Sequence, residues 1–229
     1  VAGSSVSTIE TLGEAKTEAV TAARYIAIEG PLRVGKSSLA KALAERIHAR
    51  TLLDTERNPF LEDFYKGAAG AGFRAQMWFL LERYRQLSES AMASSHSPLV
   101  ADYLFEKDKL FAYLNLTDEE VSVYDLYYQH FKQSVPTPDL VIYLKATPEV
   151  LRERIARKAI PAESKISSRY LQEAVRAYDH FFAHYKAADV LVVDTTKVDF
   201  VQNRSDLEEL LQELSRPVHG TQYFLPLSS

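Results

Sequence analysis

Five short apolar runs, separated by longer stretches of helical period, constrain this 229-residue chain more than any other feature. The runs are Tyr25–Glu29, Thr51–Asp54, Leu99–Asp102, Leu140–Leu144 and Val190–Asp194. Each is apolar without alternation and rich in branched aliphatic residues, as strands buried on both faces of a parallel sheet are. The segments between them repeat with a period near 3.6 residues and predict helices over 36–49, 73–93, 104–114, 118–134, 148–158, 168–187 and 207–214. Thr117 before three acidic residues, and Thr147 before Pro148, are helix-start signals. Strands alternating with helices imply an α/β fold in three layers, a five-stranded parallel sheet flanked by helices with right-handed crossovers. No repeat, linker or shift of composition divides the chain. The expectation is a tail over residues 1–23 and one domain over 24–229.

Composition removes several classes. Lys plus Arg is 27 against 31 Asp plus Glu, a net charge of −4, which is not the excess positive charge that coats nucleic acid. Cysteine is absent, which excludes disulfides, thiol catalysis and Cys-ligated zinc and agrees with a reducing, cytoplasmic setting. No apolar run approaches the ~20 residues of a membrane span, so no membrane partner is expected.

The segment Gly30-Pro31-Leu32-Arg33-Val34-Gly35-Lys36-Ser37 fits G-x-x-x-x-G-K-[ST] between a strand and a helix, the context the motif requires. Backbone N–H groups in such a loop curl around phosphate oxygens, the helix N-terminus adds positive potential, Lys36 offsets β/γ charge, and Ser37 ligates Mg²⁺. The fold expected is therefore that of the P-loop NTPases, with ATP and Mg²⁺ as cofactors and Ser38 continuing the phosphate loop. Arg33 stands out, because small residues are common there; its side chain either points out of the loop or crowds a phosphate. Asp54, Asp102 and Asp194 end three of the apolar runs, and carboxylates at strand C-terminal ends face the crevice of such a sheet. An acidic residue on a neighbouring strand tip helps hold Mg²⁺, which makes Asp102 the second metal ligand. Gln76 and Arg83 lie seven residues apart, two turns along one helix face and about 10.5 Å by helix rise. Their neighbours Met77 to Leu81 are apolar almost all round, so this polar pair belongs to a buried helix and needs partners.

With these residues the chain resembles the deoxynucleoside kinase family from about Tyr25 to Phe200. The match rests on Ile28-Glu29-Gly30 with Gly35-Lys36-Ser37-Ser38, on Tyr65 eleven residues before Gln76, on Asp102 and Asp108 followed by Leu110-Phe111-Ala112, and on Glu163 before Tyr170-Leu171. The resemblance implies a kinase that transfers the ATP γ-phosphate to the 5′-hydroxyl of a deoxyribonucleoside. It implies Tyr65 and Glu163 at the sugar 3′-hydroxyl, Gln76 and Asp108 at the base, Arg83 near the 5′-hydroxyl, and Asp102 beside both metal and substrate. A helical lid over about 152–166 is implied, with Arg154, Arg157 and Lys158 on the phosphates, and Asp199 and Phe200 near the ATP adenine. A homodimer through apolar helices is also implied, as is a general base at the second strand tip. Asp54 is the first choice for that base and Glu56 the second. The pairing of Gln with Asp resembles the deoxyadenosine/deoxyguanosine/deoxycytidine branch, and a purine is favoured.

The chain departs from the family's acidic-Arg-Ser motif, which here reads Asp102-Tyr103-Leu104. Lys107 or Lys109 is a replacement for the missing positive group. Two other readings stay open. A nucleoside-monophosphate kinase would need Arg57 or Arg74 at an acceptor phosphate, and a non-catalytic nucleotide-binding subunit would account for Tyr103.

Overall fold

The computed structural model describes residues 23–55, 57–92, 97–161, 163–200 and 202–225. Residues 1–22 of the tail expected over 1–23, and the alternative base Glu56, lie outside these residues. The strands are β1 (Tyr25–Glu29), β2 (Arg50–Leu52), β3 (Leu99–Ala101), β4 (Leu140–Lys145), β5 (Asp189–Asp194) and β6 (Thr221–Phe224). The helices are α1 (Lys36–Arg46), α2 (Leu61–Tyr65), α3 (Ala71–Met92), α4 (Lys107–Asn115), α5 (Asp118–Lys132), α6 (Pro148–Lys158), α7 (Ser168–His184) and α8 (Arg204–Leu214). A single 3₁₀ turn over Glu163–Lys165 joins α6 to α7. The sheet is parallel throughout, in the order β2-β3-β1-β4-β5-β6.

The apolar runs are strands because both sheet faces are covered. Ile26 and Ile28 of β1 pack with α1 and α8 through Leu39, Leu43 and Leu210. Ala27 faces the other way, toward Leu80 of α3, Tyr124 of α5 and Tyr178 of α7. Every residue of β1 is buried, so the central strand shows no alternation. Each fully buried aliphatic side chain there contributes ~1.5–3 kcal/mol.

The helix-start signals act as their chemistry requires. Thr117 accepts from the Glu120 N–H at 3.3 Å, while Glu120 accepts from the Thr117 N–H at 3.0 Å, a complete capping box on α5. Thr147 caps α6 with Pro148 in its first turn.

Three of the differences from the sequence expectation stand out. The sheet has six strands rather than five; β6 pairs with β5 but leaves Tyr223 exposed, so it carries no apolar run to reveal it. The helix expected from residue 104 starts at Lys107, because Leu104 and Phe105 are core residues of the preceding turn and their carbonyls accept from the N–H groups of Lys107 and Asp108. β2 and β3 end at Leu52 and Ala101, so Asp54 and Asp102 belong to the loops that leave the sheet.

The site lies where the strand order switches direction around β1. Gly30, just past β1, has φ 152, and a Cβ there would meet the Leu144 carbonyl of β4 at 2.3 Å. That close approach sets the loop tight against the sheet. Gly30→Ala is therefore expected to destabilise the protein by ~3 kcal/mol or more, read as a fall in the urea midpoint, whereas Gly67→Ala, with open space around it and only its left-handed φ of 72 to strain it, costs ~1–2 kcal/mol.

Candidate active site

Residues 30–35 link β1 to α1, and Gly35, at φ 112, is the N-cap of the helix. Lys36 folds back over the loop, its Nζ donating to the Gly30 and Pro31 carbonyls at 2.8 and 3.0 Å. Burial pushes its ammonium down to about 8 and Lys107 adds to the effect, against the opposing pull of Glu29. Arg33 takes the left-handed conformation at φ 62. That costs a residue with a Cβ ~1–2 kcal/mol. Its guanidinium leaves the phosphate loop and pairs side-on with Glu163, Nε to Oε2 at 2.8 Å and Nη2 to Oε1. This answers the question the sequence raises at Arg33: the side chain points out.

The Ser37 hydroxyl donates to Asp102 Oδ2, and Asp102 Oδ1 accepts from the Asp54 N–H at 2.5 Å. A hydroxyl and a carboxylate side by side form an all-oxygen pair suited to a hard cation. Among the described residues no group of three or more His, Cys, Asp or Glu could hold a metal ion. Two protein oxygens fit Mg²⁺, which keeps waters and phosphate oxygens as its other ligands.

Asp54 is the centre of a buried charge network. Arg83 grips it with Nε to Oδ1 at 3.1 Å and Nη2 to Oδ2 at 2.9 Å, and Lys107 Nζ reaches Oδ2 at 2.7 Å. These cations outweigh burial and hold its carboxyl far below the usual carboxylate range. The other side of Arg83 pairs with Asp108 through Nη1. Asp108 also accepts from Tyr124 Oη at 2.8 Å and, on Oδ1 and its backbone carbonyl, from Gln76 Nε2 at 2.6 and 3.0 Å. Both donors of the Gln76 amide are thus engaged, which leaves Oε1 as its remaining acceptor.

A cleft of about 1160 Å³ brings these groups together with Tyr65 of α2, Phe79 of α3, Phe111 and Asn115 of α4, and Tyr170 of α7. Tyr65, Gln76, Arg83, Asp54, Asp102, Lys107 and Glu163 all line it, as do residues 32–38 of the loop. Burial and the nearby Glu163 carboxylate push the Tyr65 hydroxyl above its usual value. Arg154, Arg157, Lys158, Asp199 and Phe200 also line it.

Three residues depart from the sequence expectation. Asp194 is not a rim ligand; its Oδ1 accepts from the Thr196 N–H at 2.8 Å and shapes the loop after β5. Arg154 does not reach out as a free cation. Its two terminal nitrogens donate to the Val34, Thr195 and Val198 carbonyls and to Thr195 Oγ1, which ties the loop after β5 to the phosphate loop. Asp108 is fully buried behind Gln76 and Arg83 and does not line the cleft. Arg157 pairs with Asp199 at 2.8 Å.

Sequence reasoning missed Glu29 and its partner Tyr178. Glu29 is fully buried, accepting from the Gly30 and Leu104 N–H groups at 2.8 Å and from Tyr178 Oη at 3.0 Å. A charged residue closing an otherwise apolar run was the available signal. Lys107, one of two lysines raised as replacements for the missing arginine, is the one that enters the network; Lys109 pairs outward with Asp125. Tyr103 is buried and donates to Gln86 at 3.1 Å.

A phosphate loop and a fixed carboxylate that share one cleft with Tyr65, Gln76 and Phe79 define a small-molecule phosphotransferase. Residues 26–219 match the deoxynucleoside kinase family model. Deoxyguanosine kinase of Bacillus subtilis is 33% identical over 195 residues, covering 82% of this chain and 94% of the relative. The deoxyadenosine/deoxycytidine kinase of the same organism is 27% identical over 206 residues, covering 86% and 94%. In fold, a solved structure of deoxyadenosine kinase from M. mycoides superposes with a TM-score of 0.71 at 23% identity, covering 83% of this chain and 98% of that one. The chain belongs to the deoxynucleoside kinase family.

The position of Lys36 gives a pH test. Its ammonium is the form that binds phosphate, so the affinity of the ligand-free protein for ATP is expected to fall as pH rises through about 8. Lys36→Met is expected to lose ~10²-fold or more in kcat/KM and to flatten that profile. It should also raise Tm at neutral pH, because a buried charge that favours deprotonation weakens the fold below its native pKa. Calorimetric titration and thermal melts from pH 6 to 9.5, with initial rates for kcat/KM, check these outcomes.

Proposed function

We propose that this protein transfers the γ-phosphate of ATP to the 5′-hydroxyl of a deoxyribonucleoside, with a purine deoxynucleoside favoured and deoxyguanosine first. The observation that carries this reading is Asp54: an ionised carboxylate, fixed by Arg83 and Lys107, in the cleft that the phosphate loop shares with Tyr65, Gln76 and Phe79. Asp54 orients the 5′-hydroxyl and takes its proton. A loose phosphoryl-transfer transition state relies on positioning, so a weakly basic but fixed carboxylate suffices. Lys36 and the backbone N–H groups of residues 33–38 hold the phosphates, with Lys158 and Arg157 lining the same cleft. Ser37 and Asp102 would hold Mg²⁺, which bridges phosphate oxygens and offsets their charge when bound.

At the other end, Tyr65 and Glu163 take the sugar 3′-hydroxyl. Gln76 Oε1 accepts from the base, and guanine offers the donors N1–H and N2–H₂ on one edge. Asp108 acts behind them, holding Gln76 and Arg83. The segment over 152–166 serves as the lid, with Asp199 and Phe200 toward the adenine. Arg57 and Arg74 do not line the cleft; Arg74 lies over the Phe60 ring at 5.9 Å, which speaks against an acceptor phosphate and a monophosphate substrate. Lys107 beside Asp54 supplies the positive group that Tyr103 lacks, which speaks against the non-catalytic reading.

Initial rates with Mg-ATP against four deoxynucleosides and their monophosphates, with Lys36→Ala as blank, test the reading. The expected result is turnover of nucleosides, deoxyguanosine fastest, and none of monophosphates; turnover of monophosphates alone contradicts it. Asp54→Asn is expected to lower kcat by ~10²–10⁴-fold. A loss within ~tenfold moves the base to Glu56.

A cytoplasmic role in nucleotide salvage belongs to the same reading; among the described residues no helix is long and apolar enough to cross a membrane. So does a homodimer. Leu81 of α3 and Val123, Leu126 and Tyr127 of α5 expose large apolar side chains on two helices that pack together. Such a patch favours a second copy. Sedimentation velocity is expected to show a dimer that Leu126→Glu converts to a monomer.

A further inference from the structure

The phosphate loop contains a residue whose backbone and side chain serve different ends. Two left-handed positions of the loop are glycines, Gly30 and Gly35, but the third is Arg33. A strained backbone of this kind persists only where the surroundings hold it. What holds Arg33 is a partner 130 residues away, on the turn between α6 and α7. Nε and Nη2 meet Oε2 and Oε1 of Glu163, the two-point geometry open to a guanidinium but not to an ammonium. Both side chains are largely shielded from water, 20% and 11% exposed, so the pair is worth more than a surface ion pair. The carboxylate that Arg33 fixes lines the same cleft as Tyr65, whose hydroxyl responds to Glu163 in one direction and to Arg33 in the other.

The fork has a chemical consequence. It uses one lone pair on each Glu163 oxygen and sets the plane of the carboxylate. The second lone pairs stay open to accept a hydroxyl hydrogen. A guanidinium aimed at Glu163 also keeps that side chain from swinging into the phosphate positions.

We propose that Arg33 is a positioning residue for the acceptor: from within the phosphate loop it orients Glu163 to receive the sugar 3′-hydroxyl. The proposal rests on the reading of Tyr65 and Glu163 given above. It makes discrimination for a 3′-hydroxyl depend on a residue of the donor loop.

The test crosses one variant with one missing hydroxyl. kcat and KM are measured for the 2′-deoxynucleoside that the wild type uses best and for its 2′,3′-dideoxy counterpart. A hydrogen bond to a charged partner is worth ~10–10²-fold, so the wild type is expected to lose about that much in kcat/KM without the hydroxyl. In Arg33→Gly the same removal is expected to cost ~threefold or less. The change should fall mainly on the acceptor KM, with the ATP KM moving within ~threefold. Glycine suits the left-handed backbone, so the variant keeps its fold, with a lower Tm from the lost ion pair. Arg33→Lys retains the charge without the fork and is expected to behave like Arg33→Gly. Glu163→Gln combined with Arg33→Gly should be no worse at discrimination than either alone, as for two residues that act as one unit.

If Arg33→Gly, or Arg33→Lys, discriminates as strongly as the wild type, the role of Arg33 is overturned and Tyr65 and Glu163 keep theirs. If the wild type itself accepts both nucleosides equally, the sugar-end assignment fails and the inference falls with it.

Discussion

The site depends on one guanidinium. Arg83 sits between Asp54 and Asp108, fully paired on both sides, and with Lys107 it fixes the position and the charge of Asp54. Breaking a buried pair leaves an uncompensated charge and costs ~3–5 kcal/mol. Such a pair is weak evidence for stability, since apolar replacements of similar shape often do as well. Its value here is geometric. One carboxylate from the loop after β2, another from the first turn of α4, and one long helix are held to a single arrangement, and the ring of Phe79 lies under the guanidinium at 4.6 Å from its carbon.

The sheet makes that arrangement reachable. β1 lies between β3 and β4, so the loops after β1, β2 and β3 open at one edge of the central strand. Gly30 lets the phosphate loop lie directly against the β4 backbone. Glu29, closing β1, binds the loop's first N–H, the Leu104 N–H and the α7 tyrosine Tyr178, joining three elements beneath the phosphates. The phosphate loop and the acceptor pocket are thus two sides of the same strand end, and Asp54 and Asp102 mark the line between them.

Much of this was legible in the sequence, and the reasons are physical. A strand buried on both faces cannot hide its apolar run, and a phosphate loop needs its glycines at fixed positions, so β1, α1 and the residues around Lys36 followed directly. Tyr65, Gln76, Arg83, Asp102 and Glu163 were placed by spacing and by resemblance, and they share one cleft. Periodicity fixes the face of a helix but not the partner it meets. That is why Asp108 could be expected at the base although it is buried behind Gln76, and why Arg154 could be expected to be a free cation although backbone carbonyls occupy its terminal nitrogens. Lys107 had no period to announce it, because it opens α4 at a turn. The Arg33–Glu163 pair spans 130 residues, beyond the reach of any local pattern.

The most direct measurement is a crystal structure with deoxyguanosine and a non-hydrolysable ATP analogue bound together. The account predicts the 5′-hydroxyl within ~3.2 Å of an Asp54 oxygen, the base edge on Gln76 Oε1, and the 3′-hydroxyl between Tyr65 and Glu163. A nucleoside bound with its 5′-hydroxyl on another carboxylate, or with its base turned away from Gln76, would contradict it.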